Sequence, residues 1–369
     1  MPRMADHLLP TPALQRWVDG LWLAAGCSAE EARLTAEHLV GANLAGHDSH
    51  GVGMVPRYVN SWLADELQLN QHVRIVTDHG TMLSLDARRG MGQSLAYEAM
   101  NLGIERAQRH GVCVLGLRDA HHIGRIGHWA EQAVAAGMVS VHFVNAMSTP
   151  VVAPFRGSEA RYVTNPFTVG IPVPGREPLL LDYATSAIAM GKVRVAFNSG
   201  KRVAPGMLMD AAGRYTDDPA ALFPPAGQPG GALVPFAEHK GYALAMVVEV
   251  LAAALTGGET TRPDNLRYRH AVWNNMLAMV FDPARLGDQQ LFGAEVRAFV
   301  DWVQSARLRD AAEPILMPGD PERASRRARA ERMPVDAGTL AELDAAAAAV
   351  NAARGTALPP LSSLALPAA

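Results

Sequence analysis

The chain has 369 residues, 49% apolar and 19% charged, which suffices for two or three cores and excludes a disordered polymer. Its formal net charge of -3 gives no electrostatic reason to expect a nucleic-acid partner. Only Cys27 and Cys113 are present, so a disulfide framework is not expected and a reducing, cytoplasmic setting is.

Residues 1–9 lack the apolar core of a secretory signal, and the longest apolar run, 242–255, is too short to span a bilayer, so no membrane partner is expected. Ser28-Ala29-Glu30-Glu31 is a capping box that predicts a helix through Leu34, Leu39, Val40 and Asn43, ending near Gly46. The polar segment His47-Asp48-Ser49-His50-Gly51 follows, then a helix from Pro56 with Tyr58, Val59 and Trp62 on one side. Period-2 patterns at 73–76 and 82–85 predict two strands split by Asp78-His79-Gly80. Residues 93–110 predict a helix closed by a left-handed Gly111. A strand at 112–117, a histidine-bearing loop, a helix at 126–136 and a strand at 138–144 come next, with a further strand at 179–181.

Residues 198–235 are rich in Gly, Pro and Ala and read as irregular surface or a flap. His239-Lys240-Gly241 opens an apolar helix, 242–255, expected to be buried. A helix at 286–310, a connection at 313–321, an Ala-rich helix at 336–353 and a tail at 358–369 lying on the surface complete the chain. Arg323, Arg326, Arg327, Arg329 and Arg332, interleaved with Glu322 and Glu331, read as a solvated helix face. The expected division is an N-terminal helical layer (1–72), a sheet-centred part (73–285) and a C-terminal helical segment packing back on the first (286–369).

Ligands of open α/β sheets collect at loops leaving the strands' C-terminal ends. His121 and His122 leave one such strand, Ser148 and Thr149 another, and Asp182 a third. An imidazole there suits acid–base work, because its ordinary pKa of about 6.5 lets it hold or release a proton near neutrality. The bare backbones of Gly124 and Gly127 permit close approach by a ligand. The same segment also fits a surface loop whose histidines cap the next helix. Asp48-Ser49-His50 holds the parts of a proton relay, although chain neighbours seldom align as one, so Asp182 is the better acid for His50. A helix-exit turn explains that segment equally well.

His239 and Lys240 at a helix start make an anion site or a solvated helix end. No paired-cysteine or His-Glu-x-x-His pattern accompanies the 13 histidines, so no metal is expected. Neither a Walker loop nor a G-x-G-x-x-G is present, since Gly90-Met91-Gly92-Gln93-Ser94-Leu95 lacks the third glycine.

Several segments, in order, carry a resemblance to one family. They are 45–54 (AGHDSHGVGM), His121-His122-Ile123-Gly124-Arg125-Ile126-Gly127, Val152-Ala153-Pro154-Phe155, Thr164-Asn165-Pro166-Phe167, 181–187 (LDYATSA), 237–244 (AEHKGYAL) and Met317-Pro318-Gly319. Over about residues 10 to 345 the chain resembles the type-2 malate/L-lactate dehydrogenases. That resemblance implies a mixed α/β, non-Rossmann fold, a sheet-centred cofactor domain flanked by helical layers from both termini. It implies a homodimer and a NADH or NADPH cofactor in a cleft. His122 becomes the acid–base residue, Ser49-His50 with Asp182 a relay, and Ser148 a substrate contact. Cofactor contacts carry over to His50, Gly124, Arg125, Ile126, Leu180, Leu181, Asp182, Tyr183, Ala184, His239, Lys240, Asn274, Gly319, Asp320, Pro321 and Glu322.

One departure stands out. Some members carry an arginine four residues after the motif histidine to hold the substrate carboxylate; here that residue is Met54, and Arg57, one turn on, is the candidate clamp. A more apolar pocket would favour aryl-pyruvates over oxaloacetate. The expected activity is therefore reduction of a 2-oxo acid to a 2-hydroxy acid and its reverse. Cyclic imine acid reduction, or malate-, lactate- or ureidoglycolate-type dehydrogenation, is the alternative within the family. A metal-dependent hydrolase and a dinucleotide-sensing protein are the alternatives outside it.

Overall fold

The capping box at Ser28 sets the first helical layer. In the computed structural model, which describes residues 7–198 and 200–364, the Ser28 hydroxyl accepts the Glu31 N–H at 3.2 Å and opens α2 (Ala29–Leu44). Ahead of it, α1 (Thr11–Ala25) ends at a left-handed Gly26, φ 104°. Leu14, Trp17, Val18, Leu21, Trp22 and Ala25 form its buried stripe, spaced for one helix face. Each fully buried large side chain of this kind contributes about 1.5–3 kcal/mol.

That stripe packs into a core shared with α3 (Val55–Leu63) and α10 (Ala337–Arg354), so both chain ends build one layer. The strand β1 (His7–Pro10) pairs antiparallel with β12 (Arg332–Val335) and closes it. The tail does more than lie on the surface. Leu361 is fully buried, and the Trp17 indole N–H donates to the Pro359 carbonyl at 2.8 Å. The last five residues of the tail and the first six of the chain fall outside the described residues.

The second layer is a seven-stranded sheet. Its strands are β2 (Arg74–Asp78), β3 (Met82–Asp86), β4 (Val112–His121), β5 (Val139–Met147), β6 (Pro166–Ile171), β7 (Leu179–Ala184) and β11 (Trp273–Phe281), in the order β2-β3-β4-β11-β5-β6-β7. Only β3 and β4 pair in parallel, and β11 inserts antiparallel between β4 and β5. The strands β4, β5 and β7 therefore run the same way and open their C-terminal ends at one edge, which brings the histidine and Ser148 loops to the same side, whereas Asp182, expected to leave its strand, lies within β7 paired with Thr168. Three strands are longer than expected, β7 running on to Ala184 besides two others. Of those two, β4 continues to His121 and β5 to Met147.

Helices cover both faces. A Cβ on Gly103 of α4 (Gly92–His110) would meet Leu115, and one on Gly116 would meet Thr256 just past the α7 (His239–Glu249) segment. Leu115 and Gly116 are neighbours on β4, so these helices lie on opposite faces. The α4 helix shares its core with α5 (Gly127–Ala135). The α7 helix passes into a π-turn over Val250–Ala254 and is only half-buried, contrary to expectation, because one side packs on the sheet and the other faces out. Nor are residues 198–235 irregular throughout. They supply β8 (Leu208–Met209), β9 (Tyr215–Thr216) and β10 (Ala232–Leu233), a three-stranded sheet with a core around Val152, Val193 and Leu233, next to α6 (Met190–Asn198).

Burial of the tail gives a direct check. Leu361→Ala is expected to lower the unfolding free energy by about 2–5 kcal/mol in a denaturant titration. A change below about 0.5 kcal/mol would show that the tail does not pack on α1.

Candidate active site

The geometry of the histidine segment begins with a defect in β4. Pairing with β11 shifts register between Asn274 and Met276, and Asp119 adopts a left-handed φ of 55°. The Asp119 N–H, lost to the ladder, donates instead to the Asn275 side-chain oxygen at 3.0 Å. Beyond this bulge His121 is fully buried between Tyr58 and Trp273, while His122 retains 8% exposure.

The His121–His122 peptides pack directly on the start of α4. A Cβ at Gly92 would come within 2.0 Å of the His121 carbonyl oxygen and 2.4 Å of that of His122. The glycines of the incomplete fingerprint thus serve backbone packing. The same holds for Gly124, φ 77°, whose Cβ would strike the His38 ring, and for Gly127, whose Cβ would strike Arg125 and Asp182. Their bare backbones are filled by the protein's own side chains. His38 accepts the Arg125 N–H at 2.8 Å, fixing the loop from α2.

Three partners surround His122. Tyr58, fully buried on α3, places its hydroxyl 2.5 Å from the His122 Nδ1. Gln93 on α4 donates to that hydroxyl at 2.9 Å and to the His122 carbonyl at 3.1 Å. His50 stacks its ring on His122 with centroids 5.5 Å apart. Tyr58 and Gln93 escaped the sequence reading because each resembles an ordinary core or helix-start residue. The usable signal is that a buried tyrosine hydroxyl requires a partner.

The relay is only partly assembled. A 3-10 turn over Asp48–His50 brings the Ser49 hydroxyl to 2.9 Å from the His50 Nδ1, so these chain neighbours do bond. The Asp182 carboxylate is spent on the Thr168 hydroxyl at 2.9 Å and the Gly127 N–H at 2.9 Å, and it faces Arg125 at 3.6 Å. It reaches His50 electrostatically, as the one neighbour favouring the imidazolium, rather than through a hydrogen bond. Asp48 is held by Asn43 at 2.7 Å and by Arg329 at 2.6 Å. Arg326 likewise pairs with Glu131 at 2.9 Å, so part of the expected solvated arginine face is tied to the site loops.

Arg57 and Ser148 do meet. The Arg57 guanidinium donates to the Ser148 hydroxyl at 3.4 Å and to the His270 carbonyl at 2.7 Å. Both line a pocket of about 120 Å³ whose apolar wall is Met147, Leu266, Tyr268, Ala271 and Trp273. Met54 does not line it, but packs against the N-terminal core. Arg57 and Arg269 also border a neighbouring cavity of about 510 Å³.

The residues assigned to the cofactor form a second group. Leu180, Leu181, Asp182, Tyr183 and Ala184 lie on β7, at the edge of the sheet. The Leu180 N–H donates to the Pro318 carbonyl at 3.2 Å, so Gly319, Asp320, Pro321 and Glu322, which open α9 (Asp320–Arg329), lie against this strand. His47 and Glu322, 3.1 Å apart, join α9 to the Ser49-His50 segment. The Phe236 N–H donates to the Thr185 carbonyl at 3.0 Å and seats the exposed His239 and Lys240 past the far end of β7.

Three other residues of that group turn inward. Arg125 and Ile126 are buried at 3% and 4% exposure. Asn274 accepts from the N–H of Ile123, just past β4, at 2.8 Å and donates to the Asn145 carbonyl of β5 at 2.9 Å. Among the described residues no group of three His, Cys, Asp or Glu side chains is arranged to hold a metal ion.

Burial dominates the electrostatics. It lowers the imidazole pKa of His50 and His128 to about 4 and of His121 and His142 to about 3, and holds His38 and His122 well below 6.5. Around His122 the neighbouring His50, His121 and Arg57 add to that depression. In the unfolded chain these groups titrate near about 6.5. Below that pH the unfolded state binds more protons, so stability is lost as pH falls from 6.5 towards 4, by about 1.4 kcal/mol per pH unit for each such histidine. A lower reversible melting temperature at pH 5 than at pH 7 is the expected result. An unchanged value would show that these rings are charged in the folded protein.

The sequence profile of the malate/L-lactate dehydrogenases matches residues 9–344. The chain is 46% identical over 337 residues to hydroxycarboxylate dehydrogenase B of Escherichia coli (strain K12), covering 91% of this chain and 92% of that one. It is 36% identical over 286 residues to a Delta(1)-pyrroline-2-carboxylate/Delta(1)-piperideine-2-carboxylate reductase of Pseudomonas syringae pv. tomato, covering 76% and 81% of the two chains. The solved structure of a putative malate/lactate dehydrogenase from E. coli superposes with a TM-score of 0.90 at 44% identity, covering 97% of this chain and 98% of that one. The chain belongs to the malate/L-lactate dehydrogenase family and is an oxidoreductase acting on CH–OH groups.

Proposed function

We propose that the protein uses a nicotinamide cofactor, NADH or NADPH, to reduce 2-oxo acids bearing an apolar, aryl-sized side chain to 2-hydroxy acids, and catalyses the reverse oxidation. The observation that carries this reading is a guanidinium–hydroxyl pair, Arg57 and Ser148, beside a buried histidine and an aromatic wall. A carboxylate suits the guanidinium, and the wall of Met147, Leu266, Tyr268 and Trp273 suits an aryl or branched side chain.

The chemistry of the second group fits the cofactor. The exposed His239 and Lys240 side chains at the start of α7 would supply donors and positive charge for a diphosphate. Leu180 to Ala184 and Gly319 to Glu322 would hold its remaining parts. When bound, the nicotinamide supplies or takes the hydride. His122 gives the proton to the carbonyl oxygen in reduction and takes it from the hydroxyl in oxidation, which is typically worth about 10²–10⁴-fold. Arg57 orients the carboxylate, and Ser148 assists it. His50, stacked on His122 and bonded to Ser49, is the relay residue towards the cofactor side.

The experiment is a cofactor-oxidation screen with NADH and NADPH over phenylpyruvate, oxaloacetate and a cyclic imine acid. Phenylpyruvate should be turned over fastest, and His122→Ala should collapse turnover while leaving cofactor binding intact. Preference for the cyclic imine would favour the reductase reading suggested by the Pseudomonas relative. Near-normal turnover in His122→Ala would remove that residue from the mechanism.

A homodimer and residence in the cytoplasm complete the proposal. Past His239 and Lys240 the outward face of α7 and its π-turn is apolar, with Met246, Val247, Val250 and Leu255 42–64% exposed, and such faces mark association surfaces. The buried, unpaired thiols of Cys27 and Cys113 suit a reducing compartment. In sedimentation, the wild type should run as a dimer and Val250→Glu as a monomer. A monomeric wild type would overturn this part.

A further inference from the structure

The Tyr58 hydroxyl carries a single hydrogen and has three neighbours. Gln93 Nε2 lies 2.9 Å away and also 3.1 Å from the His122 carbonyl, which only accepts, so the amide nitrogen rather than its oxygen faces the pair. The hydroxyl oxygen therefore accepts from Gln93. Its hydrogen has two destinations, the His122 carbonyl at 3.4 Å and the His122 Nδ1 at 2.5 Å. A carbonyl cannot donate, whereas a ring nitrogen can. All three contacts are satisfied together only if the hydroxyl donates to the carbonyl and Nδ1–H donates to the hydroxyl.

We infer that Tyr58, seated by Gln93, is the positioning residue that keeps the His122 Nδ1 protonated and leaves Nε2 as the nitrogen that exchanges a proton with the substrate. The arrangement rests on His122 being the acid–base residue. In oxidation the alcohol O–H bond breaks and an Nε2–H bond forms, while the hydride leaves the carbon bearing that oxygen, the bound nicotinamide being the group that would accept it. In reduction the Nε2–H bond breaks and the substrate O–H bond forms. Nδ1 keeps its hydrogen in both directions, as the inner nitrogen of a catalytic histidine does when an acceptor holds it. The supporting shell is dry and rigid. Tyr58 is fully buried and Gln93 is 1% exposed, and the ring lies in edge contact with both His121 and His122.

The groups facing the His122 ring are Tyr58, His50, His121 and Arg57. Of these, only the Tyr58 hydroxyl makes a hydrogen bond to a ring nitrogen of His122. Its loss weakens the imidazolium more than the neutral ring, because the bond from a charged N–H is the stronger one. Tyr58→Phe should therefore lower kcat in both directions by about 10–100-fold with little change in the KM for the oxo acid. Reduction needs protonated His122, so its fall-off at alkaline pH should begin at a lower pH in the variant.

The tautomer is read directly on the wild type by nitrogen-15 NMR of histidine-labelled enzyme at pH 7.5, the His122 signal being assigned by its loss in His122→Gln. An Nδ1–H neutral ring is expected, and an Nε2–H ring overturns the inference without any activity measurement. A Tyr58→Phe variant that keeps the wild-type kcat and pH profile overturns it as well. Loss of activity in Tyr58→Phe with both the tautomer and the pH profile unchanged would reduce Tyr58 to a packing role. Failure of His122→Ala to reduce turnover would sink the underlying mechanism while leaving the tautomer result standing.

Discussion

The site depends on one irregularity, the bulge at Asp119 in β4. A strand points successive side chains to opposite faces, so one inserted residue reverses the parity of everything after it. Past the bulge, His121 enters the core against Trp273 and His122 is turned onto Tyr58 and His50 with 8% exposure. The bulge leaves an N–H without a ladder partner, and an unmade hydrogen bond of a buried group costs about 1–3 kcal/mol. Asn275 supplies the acceptor, and its amide donates to the Asn145 side-chain oxygen at 2.9 Å. Asn274 does the same work one residue away, fixing Ile123 on one side and Asn145 on the other. Beneath them Glu249 takes hydrogen bonds from Asn165 at 2.6 Å and from Thr261 through its N–H at 2.6 Å and hydroxyl at 2.9 Å. A buried carboxylate without those donors would be costly, so the cluster behaves as a unit that holds the ends of β4, β5 and β11 together.

The two chain ends reach the same place through charge. Arg329 on α9 holds Asp48, Arg326 bridges to Glu131 on α5, and Glu131 pairs with Arg125 at 2.6 Å. Glu131 lies between two guanidinium groups, which keep its carboxyl below the usual range despite burial. These pairs are partly buried and networked, the setting in which ion pairs contribute beyond the small value of an isolated surface pair. The helix carrying Gly319 to Glu322 is thereby anchored to the segment carrying Ser49 and His50.

Much of the frame was legible because it is written in local chemistry. Ser28 with Glu31 announced α2, Gly111 closed α4, and the apolar runs located β4 and β5, though both strands continue past them. His122 stood out as an imidazole at a strand exit, whereas Ser148 and Arg57 were singled out through the family resemblance; the structure brings Arg57 to Ser148. What stayed hidden depends on distant contacts. Tyr58 and Gln93 are 35 positions apart and meet only because α3 and α4 converge on the His122 backbone. Gly124 and Gly127 looked like room for a ligand, yet the space belongs to the His38 ring and to the Arg125 and Asp182 side chains. Asp182 looked like the acid for His50, and local geometry gave its oxygens to Thr168 and Gly127 instead. No sequence pattern reports a bulge whose purpose appears only when the opposite strand supplies the asparagines.

The charge arrangement also explains why an acid is the fitting substrate. In the empty pocket Arg57 opposes a proton on His122, and burial removes the solvent that would offset it. An incoming carboxylate on Arg57 cancels that charge at short range in a medium of low effective dielectric, where such terms are larger than in water. On the roles proposed for Arg57 and His122, the contact that binds the substrate would also raise the proton affinity of the group that delivers the proton. A ketone lacking the carboxylate would lose orientation and would also meet a His122 still held neutral. On that proposal, selectivity for 2-oxo acids would reside in the chemical step as well as in binding, which is where interactions accelerate a reaction rather than merely fill a site.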